Sequence, residues 1–272
     1  MSGRYCVIGN PIAHSKSPQI HASYAAQTGQ DIDYERCLAP LDGFEATVRG
    51  LIAQGYRGAN VTVPFKLDAA RLATRLAPRA QAAGAVNTLI FADGEIVGDN
   101  TDGPGLVADI VRNAGVPLVD KRILLLGAGG AARGALLPLL EQGPREIVIA
   151  NRTLATAERL VADFAAHAGR LAVSSFDGVQ GSFDVVINAT SASLGADLPP
   201  VPASVFGPGT LALDMMYASE PTVFMAFASR HGAAVRDGLG MLVEQAAEAF
   251  FLWRGVRPAT AGVLVAMRQA QA

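Results

Sequence analysis

Residues 122–140 read RILLLGAGGAARGALLPLL and residues 146–153 read EIVIANRT, and together they constrain the fold more than any other part of the chain. Residues 123–126 are an unbroken apolar run, the pattern of a strand buried on both faces of a parallel sheet. Gly127, Gly129 and Gly130 then turn the chain into an Ala/Leu-rich helix. With no Cβ in the way, the backbone N–H groups and positive helix end of such a turn can approach a pyrophosphate. A glycine turn between strand and helix is common on its own; the second apolar strand, 147–150, makes it specific. About 20 residues after the glycines, an NAD-binding unit places a carboxylate on the ribose 2′-hydroxyl. This chain has Asn151-Arg152-Thr153 there. A carboxylate would repel a 2′-phosphate, whereas Arg152 offers it a planar fork of donors. The stretch reads as an NADP site rather than an NAD site, the alternative being a surface arginine after an ordinary βα unit.

A chain of 272 residues has room for one large domain or two modest ones. A net charge of −2 provides no basic stripe, so nucleic acid is not an expected partner. Arg133 and the glycines interrupt the longest apolar candidate, so no membrane span is expected. The opening MSGRYCVIGNP meets Asn-Pro too soon for a secretory signal. Cys6 and Cys37 are too few for a disulfide framework and fall in expected strands, so they read as buried thiols in a reducing cytoplasm. The four histidines and two cysteines have no metal-ligand spacing, and no metal is expected.

The first hundred residues alternate strand and helix patterns, with strands at 5–8, 33–38 and 58–61 and helices at 18–28, 44–53 and 66–76. Ser17-Pro18 reads as a helix cap followed by proline at the first helical position. Residues 87–100, two apolar runs around Asp93-Gly94, read as a hairpin. A helix over 103–113 leads into the glycine-rich unit. Strands at 185–188 and 211–214 follow, and helices at 239–254 and 258–269 close the chain. The expected architecture is α/β in two domains: a substrate-binding α/β domain over 1–103, completed by 239–272, and a Rossmann-like NADP-binding domain over 104–238.

Hydride transfer to a ketone builds alkoxide character, so the site needs a proton donor and a positive field beside that oxygen. No Tyr-x-x-x-Lys occurs, and no zinc set is available. The remaining candidates lie in polar loops: Ser15-Lys16-Ser17, Asn60–Lys66, Gly84–Thr88 and Gly98–Gly103. Short hydrogen-bonding side chains at strand ends are where open α/β sheets bind ligands. Lys66 near Asp102 would make a proton-transfer pair, with the carboxylate orienting the ammonium. Ser15 and Ser17 suit a carboxylate at a helix start, and Thr62 and Asn87 suit hydroxyl groups. Singly, each has a plainer reading: Asp102 as a helix cap, Asn87 as a turn residue, Lys66 as a solvated cation.

Taken together these segments resemble the shikimate dehydrogenase family. The blocks occur in order across nearly the whole chain: GNPIAHSKSPQIH from Gly9, NVTVPFK from Asn60, GAVNT from Gly84, GDNTDG from Gly98, GAGGAARG from Gly127, NRT from Asn151 and DGLGMLVEQA from Asp237. The resemblance implies an oxidoreductase acting on a CH–OH group. It would reduce 3-dehydroshikimate to shikimate with NADPH, on the route to chorismate and the aromatic amino acids. It implies Lys66 and Asp102 as the catalytic pair, with Lys66 the acid/base. It further implies Ser15 and Ser17 on the substrate carboxylate, and Thr62, Asn87, Asp102 and Gln245 on the ring hydroxyls, with Tyr217 a further substrate contact. Gly127, Ala128, Gly129, Gly130 and Ala131 match the pyrophosphate loop. Asn151, Arg152, Thr153, Leu154, Ala155 and Thr156 match the 2′-phosphate segment, and Met215 and Gly238 the nicotinamide side. The expected working form is a cytoplasmic monomer or homodimer that closes its domains around the ligands.

Two positions depart from the family pattern. Pro78 stands where an acidic residue is often found, and Ser193 where a glycine is common. Rival readings are a quinate/shikimate dehydrogenase using NAD, which Arg152 opposes, and a non-catalytic nucleotide sensor, which the intact Lys66 and Asp102 oppose. His14 and His21 are left outside the site, His167 and His231 read as exposed helix-end residues, and Phe250, Phe251 and Trp253 as core.

Overall fold

The computed structural model of the chain describes residues 3–190, 192 and 197–270 and divides into two compact α/β units. One unit joins the residues up to Gly105 with Leu242–Ala266; the other joins Leu106–Met241 with the residues from Met267 onward.

In the first unit, β1 (Gly3–Gly9), β2 (Ile32–Leu38), β3 (Tyr56–Val61), β4 (Arg75–Leu76), β5 (Thr88–Ala92) and β6 (Glu95–Asp99) form a sheet in the order β2-β1-β3-β5-β6-β4. β1 is parallel to both its neighbours, and β5 is antiparallel to β3 and β6, the latter through the expected hairpin. The accompanying helices are α1 (Ser17–Thr28), α2 (Phe44–Ala53), α3 (Lys66–Leu72), α4 (Pro78–Ala83) and the start of α5 (Asp102–Ala108), which continues into a π-helical turn over Asp109–Asn113. From Tyr5 to Ile8, β1 is buried and apolar apart from the Tyr5 hydroxyl, because both faces are covered. Cys6 and Ile8 pack with Phe44, Val48, Leu51 and Phe65. Tyr5, on the other face, stacks on Trp253, with ring centroids 4.6 Å apart. Cys37 is only half-buried, unlike the fully buried thiol of Cys6.

Three local expectations need correction. The helix expected over 66–76 ends at Leu72: Ala73 turns extended and Thr74 is captured by β6, while Pro78 holds only its own neighbour Ala77 extended. The Thr74 N–H donates to the Ile96 carbonyl (2.8 Å), and the Ile96 N–H donates to the Thr74 hydroxyl (3.0 Å). Ser17 is not a cap: Lys16 occupies that position, and α1 begins with Ser17 itself. Phe251 is exposed at 38%, with the Arg257 guanidinium 4.6 Å over its ring, while Phe250 is buried.

The second unit holds β7 (Arg122–Leu126), β8 (Glu146–Ala150), β9 (Leu171–Ser174), β10 (Val185–Asn188), β11 (Leu211–Asp214) and β12 (Ala234–Arg236). All are parallel, in the order β12-β11-β10-β7-β8-β9. That order reverses between β7 and β10, the switch point at which such sheets bind ligands. Helices α6 (Gly130–Glu141), α7 (Leu154–Asp163) and α8 (Val223–Arg230) connect the strands; α9 (Leu239–Arg254) and α10 (Ala261–Gln269) follow. The chain from Met267 groups with this unit, although sequence alone assigned all of 239–272 to the first. Arg268 there forks onto the buried carboxylate of Asp237 at 2.6 and 2.7 Å.

His21, on α1, is fully buried and stacked on Tyr34, with ring centroids 4.2 Å apart. Neither of its nitrogens has a hydrogen-bond partner among the described residues, and burial pushes its pKa down to about 3. An unfolded histidine titrates near 6.5, so below that pH the unfolded chain takes up a proton that the folded site excludes. Stability contributed by the neutral ring is therefore present above pH ~6.5 and lost as pH falls toward 3, by ~2–3 kcal/mol at pH 4.5. In His21→Phe, urea unfolding followed from pH 6.5 to 4.5 should show a shallower loss than wild type; equal slopes would show that His21 does not cause it.

Candidate active site

Thr101 begins the arrangement. Its backbone N–H donates to Asn87 Oδ1 at 2.8 Å, which leaves the Asn87 amide nitrogen facing the other way. That nitrogen donates to Asp102 Oδ1 at 2.8 Å and lies 3.0 Å from the Thr101 hydroxyl and 3.3 Å from Gln245 Oε1. The second oxygen of Asp102 accepts from Lys66 Nζ at 2.7 Å. Lys66 opens α3, Asp102 opens α5, and Asn87 stands immediately before β5, so three strand or helix ends converge on one carboxylate. The pair is accessible: the Lys66 side chain is 35% exposed and that of Asp102 24%. Asp102 is thus not a simple helix cap, nor Lys66 a free cation. Gln245, on α9, is aligned by a 3.0 Å hydrogen bond from its amide to the Leu242 carbonyl.

Support comes from Asn60 and Thr88, which lie in the polar segments, and from Tyr34 on β2. Asn60 donates to the Asn87 carbonyl (3.3 Å) and to the Thr88 hydroxyl (3.2 Å), which in turn lies 3.0 Å from Asn87 Oδ1. Tyr34, on β2, donates to Asn60 Oδ1 at 2.7 Å. Burial raises its phenol well above the ordinary tyrosine range, so it remains a donor. Nothing in the alternating pattern of β2 marks Tyr34 for this task. Pro78 opens α4, and the adjacent Arg79 forks onto Asp99 at 2.7 and 2.9 Å, anchoring the end of β6 ahead of Asp102.

Ser15 and Ser17 lie together at the start of α1. Their hydroxyls are 3.2 Å apart, and the Ser17 N–H donates to Ser15 Oγ at 3.3 Å. Arg36 reaches this loop from β2, donating to the Ser15 carbonyl at 3.0 and 2.6 Å. Thr62 follows β3 and is partly exposed; its N–H donates to the Ile8 carbonyl at 2.9 Å.

In the second unit, an open pocket of about 640 Å³ is lined by Gly127, Ala128, Gly129, Gly130, Asn151, Arg152, Ala189 and Thr190, with Phe176, Asp197 and Leu198 on its other walls. The loops after β7, β8 and β10 supply it. Gly127 adopts φ +100°, a region closed to other residues without strain. A Cβ on Gly129 or Gly130 would point into open space at the N-terminal end of α6. Ala131 is exposed in the first turn of that helix. Arg152 is exposed and has no ion-pair partner among the described residues. Asn151 ties the turn to the Thr153 carbonyl at 2.9 Å, and Leu154, Ala155 and Thr156 form the first turn of α7. An open helix N-terminus and an unpaired guanidinium fit a pyrophosphate and a further phosphate.

Met215 and Tyr217 follow β11. Burial raises the Tyr217 phenol above its ordinary range. Gly238 donates to the Met216 carbonyl at 2.9 Å, and a Cβ on it would stand 2.1 Å from the Met215 carbonyl oxygen. Only glycine admits that approach. Ser193 lies outside the described residues.

An NADP-type switch-point pocket in one unit and a lysine–aspartate pair in the other define a dinucleotide-dependent α/β oxidoreductase. Comparison with known proteins gives the same class. The family model described as shikimate dehydrogenase substrate binding domain matches residues 7–89, that described as shikimate / quinate 5-dehydrogenase matches 109–195, and a shikimate 5′-dehydrogenase C-terminal domain matches 238–270. The shikimate dehydrogenase (NADP(+)) of Herminiimonas arsenicoxydans is 63% identical over 98% of both chains. An Ael1 enzyme from Pseudomonas putida is 51% identical over 97% of both chains, with a TM-score of 0.94. The shikimate 5-dehydrogenase of Thermus thermophilus, solved with NADP(H) and shikimate, is 34% identical over 98% of this chain and 99% of that one, with a TM-score of 0.85. The chain belongs to the shikimate dehydrogenase family.

Gly238→Ala should force the Met215 segment away and destabilise the fold by ~1–3 kcal/mol, as overpacking does. Urea denaturation measures this, and an unchanged midpoint would show that the close approach yields without cost.

Proposed function

We propose that this chain catalyses the reversible NADPH-dependent reduction of 3-dehydroshikimate to shikimate, on the route to chorismate and the aromatic amino acids. The observation that carries this reading is the Lys66–Asp102 contact at 2.7 Å, held on its far side by Asn87. NADPH, when bound, supplies the hydride for the ketone carbon. Lys66 Nζ passes a proton to the ketone oxygen, and its positive charge stabilises the alkoxide character that develops there. Asp102 orients the ammonium, and its own direction is set by Asn87. In the reverse direction Lys66 recovers the proton from the hydroxyl.

Ser15 and Ser17 hold the substrate carboxylate with their hydroxyls. Thr62, Asn87, Asp102 and Gln245 bind ring hydroxyls, and Tyr217 adds a substrate contact. Gly127, Ala128, Gly129, Gly130 and Ala131 hold the pyrophosphate. Asn151, Arg152, Thr153, Leu154, Ala155 and Thr156 take the 2′-phosphorylated ribose, with Arg152 its charge partner, while Met215 and Gly238 flank the nicotinamide. The first unit serves as the substrate domain and the second as the cofactor domain. No helix among the described residues is long and apolar enough to cross a membrane. We infer a cytoplasmic monomer or homodimer with no nucleic-acid partner; the two free thiols and the net charge of −2 support that reading.

Initial rates with shikimate and quinate, each with NADP and NAD, test the assignment: shikimate with NADP should be preferred, and a preference for quinate or NAD would overturn it. Lys66→Ala should lower kcat by ~10²–10⁴-fold with little change in the KM for shikimate. Turnover near wild type would remove Lys66 as the proton donor. Arg152→Ala removes charge-assisted hydrogen bonds and should raise the KM for NADP by ~10–100-fold, leaving that for NAD nearly unchanged. Equal changes for both cofactors would show that Arg152 does not contact the 2′-phosphate.

A further inference from the structure

We propose that Arg36 is a specificity-determining positioning residue for the carboxylate end of the substrate, acting through the Ser15–Ser17 loop. This rests on the reading of those serines as the carboxylate holders. Two serine hydroxyls and one backbone turn can donate hydrogen bonds, but they bring no charge. A carboxylate moved from water onto neutral donors loses hydration that a nearby cation would offset.

Arg36 supplies such a cation in a fixed place. Its Nε and Nη2 both donate to the Ser15 carbonyl, at 3.0 and 2.6 Å, so the guanidinium is pinned to the residue whose hydroxyl receives the Ser17 N–H. One side chain therefore shapes the loop and charges it. The guanidinium is also uncommitted electrostatically. Among the described residues of this unit, Arg4, Arg49, Arg71, Arg75, Arg79 and Arg257 each pair with a carboxylate, while Arg36, like Arg57 and Arg254, pairs with none. Its neighbour in sequence, Glu35, lies instead 3.8 Å from Arg4. Lys16, between the serines, carries a second positive charge, but no hydrogen bond or ion pair holds its ammonium among the described residues.

The guanidinium is fixed through the carbonyl of a residue that also offers its hydroxyl, so its charge acts on an anion held there, and its exposure leaves that charge partly screened. The effect expected is ~3–10-fold in substrate affinity, with the chemical step untouched.

The test is steady-state kinetics of Arg36→Gln and Arg36→Lys with shikimate and with its uncharged carboxamide. Arg36→Gln keeps a donor for the Ser15 carbonyl and loses the charge. It should raise the KM for shikimate ~3–10-fold, leave kcat within about twofold, and leave the KM for the carboxamide unchanged. Arg36→Lys should restore most of the shikimate KM. In the wild-type protein, the shikimate KM should rise with added salt while the carboxamide KM stays level. An equal rise for acid and carboxamide in Arg36→Gln would make Arg36 merely structural and overturn the proposal. So would a wild-type preference for the acid that persists undiminished in Arg36→Gln, in which case the serine reading survives alone. A wild-type protein that takes acid and carboxamide with the same KM overturns the serine reading, and this inference with it.

Discussion

A backbone N–H can only donate, and the polar cluster of the first unit is ordered by that constraint. The Thr101 N–H claims the oxygen of the Asn87 amide, so its nitrogen must face Asp102. Asp102 can then present its other oxygen to Lys66. Reversing the Asn87 amide would set oxygen against carboxylate and nitrogen against N–H, two repulsive contacts in a site where Asn87 is 3% exposed. The orientation of the Lys66–Asp102 pair thus traces back to one backbone N–H. Thr88, Asn60 and Tyr34 extend the same logic outward, each accepting or donating in the sense its neighbour leaves open.

Both units place their chemistry where strands stop. In the first, the ends of β3 and β6 lead into α3 and α5, whose opening residues are Lys66 and Asp102. In the second, the ends of β7, β8 and β10 surround the glycine loop. A parallel strand buried on both faces carries no free side chain along its length, so functional groups accumulate at its exit. The rigidity of those strands lets short side chains such as Ser, Asn and Asp hold useful distances.

Much of this was legible in the sequence, for physical reasons. The apolar run 123–126 has the pattern of a doubly covered strand, and the second apolar strand at 147–150 makes the otherwise common glycine turn between them specific. The Lys66–Asp102 pairing was legible as a candidate because both residues lie in polar segments that follow apolar ones. The rest depends on long-range packing. The end of α3 at Leu72 is decided by β6, more than twenty residues away. The Arg268–Asp237 clamp spans 31 residues. Tyr34 and Arg36 sit in a strand whose alternation says only that it is half-buried, with nothing to tell which partners wait on each side. Ser17 looked like a helix cap because its composition matches one; the backbone instead begins the helix a residue earlier, which leaves the hydroxyl beside Ser15.

The chain contains a single tryptophan, Trp253, whose indole stacks on Tyr5 and donates to the Leu89 carbonyl at 3.0 Å. All three residues belong to the first unit. Emission from the indole is therefore a local reporter, sensitive to loosening of that aromatic stack and blind to events confined to the nucleotide-type unit. A melting curve recorded by tryptophan fluorescence describes one half of this molecule, and comparing it with a signal averaged over the backbone would reveal whether the halves come apart together.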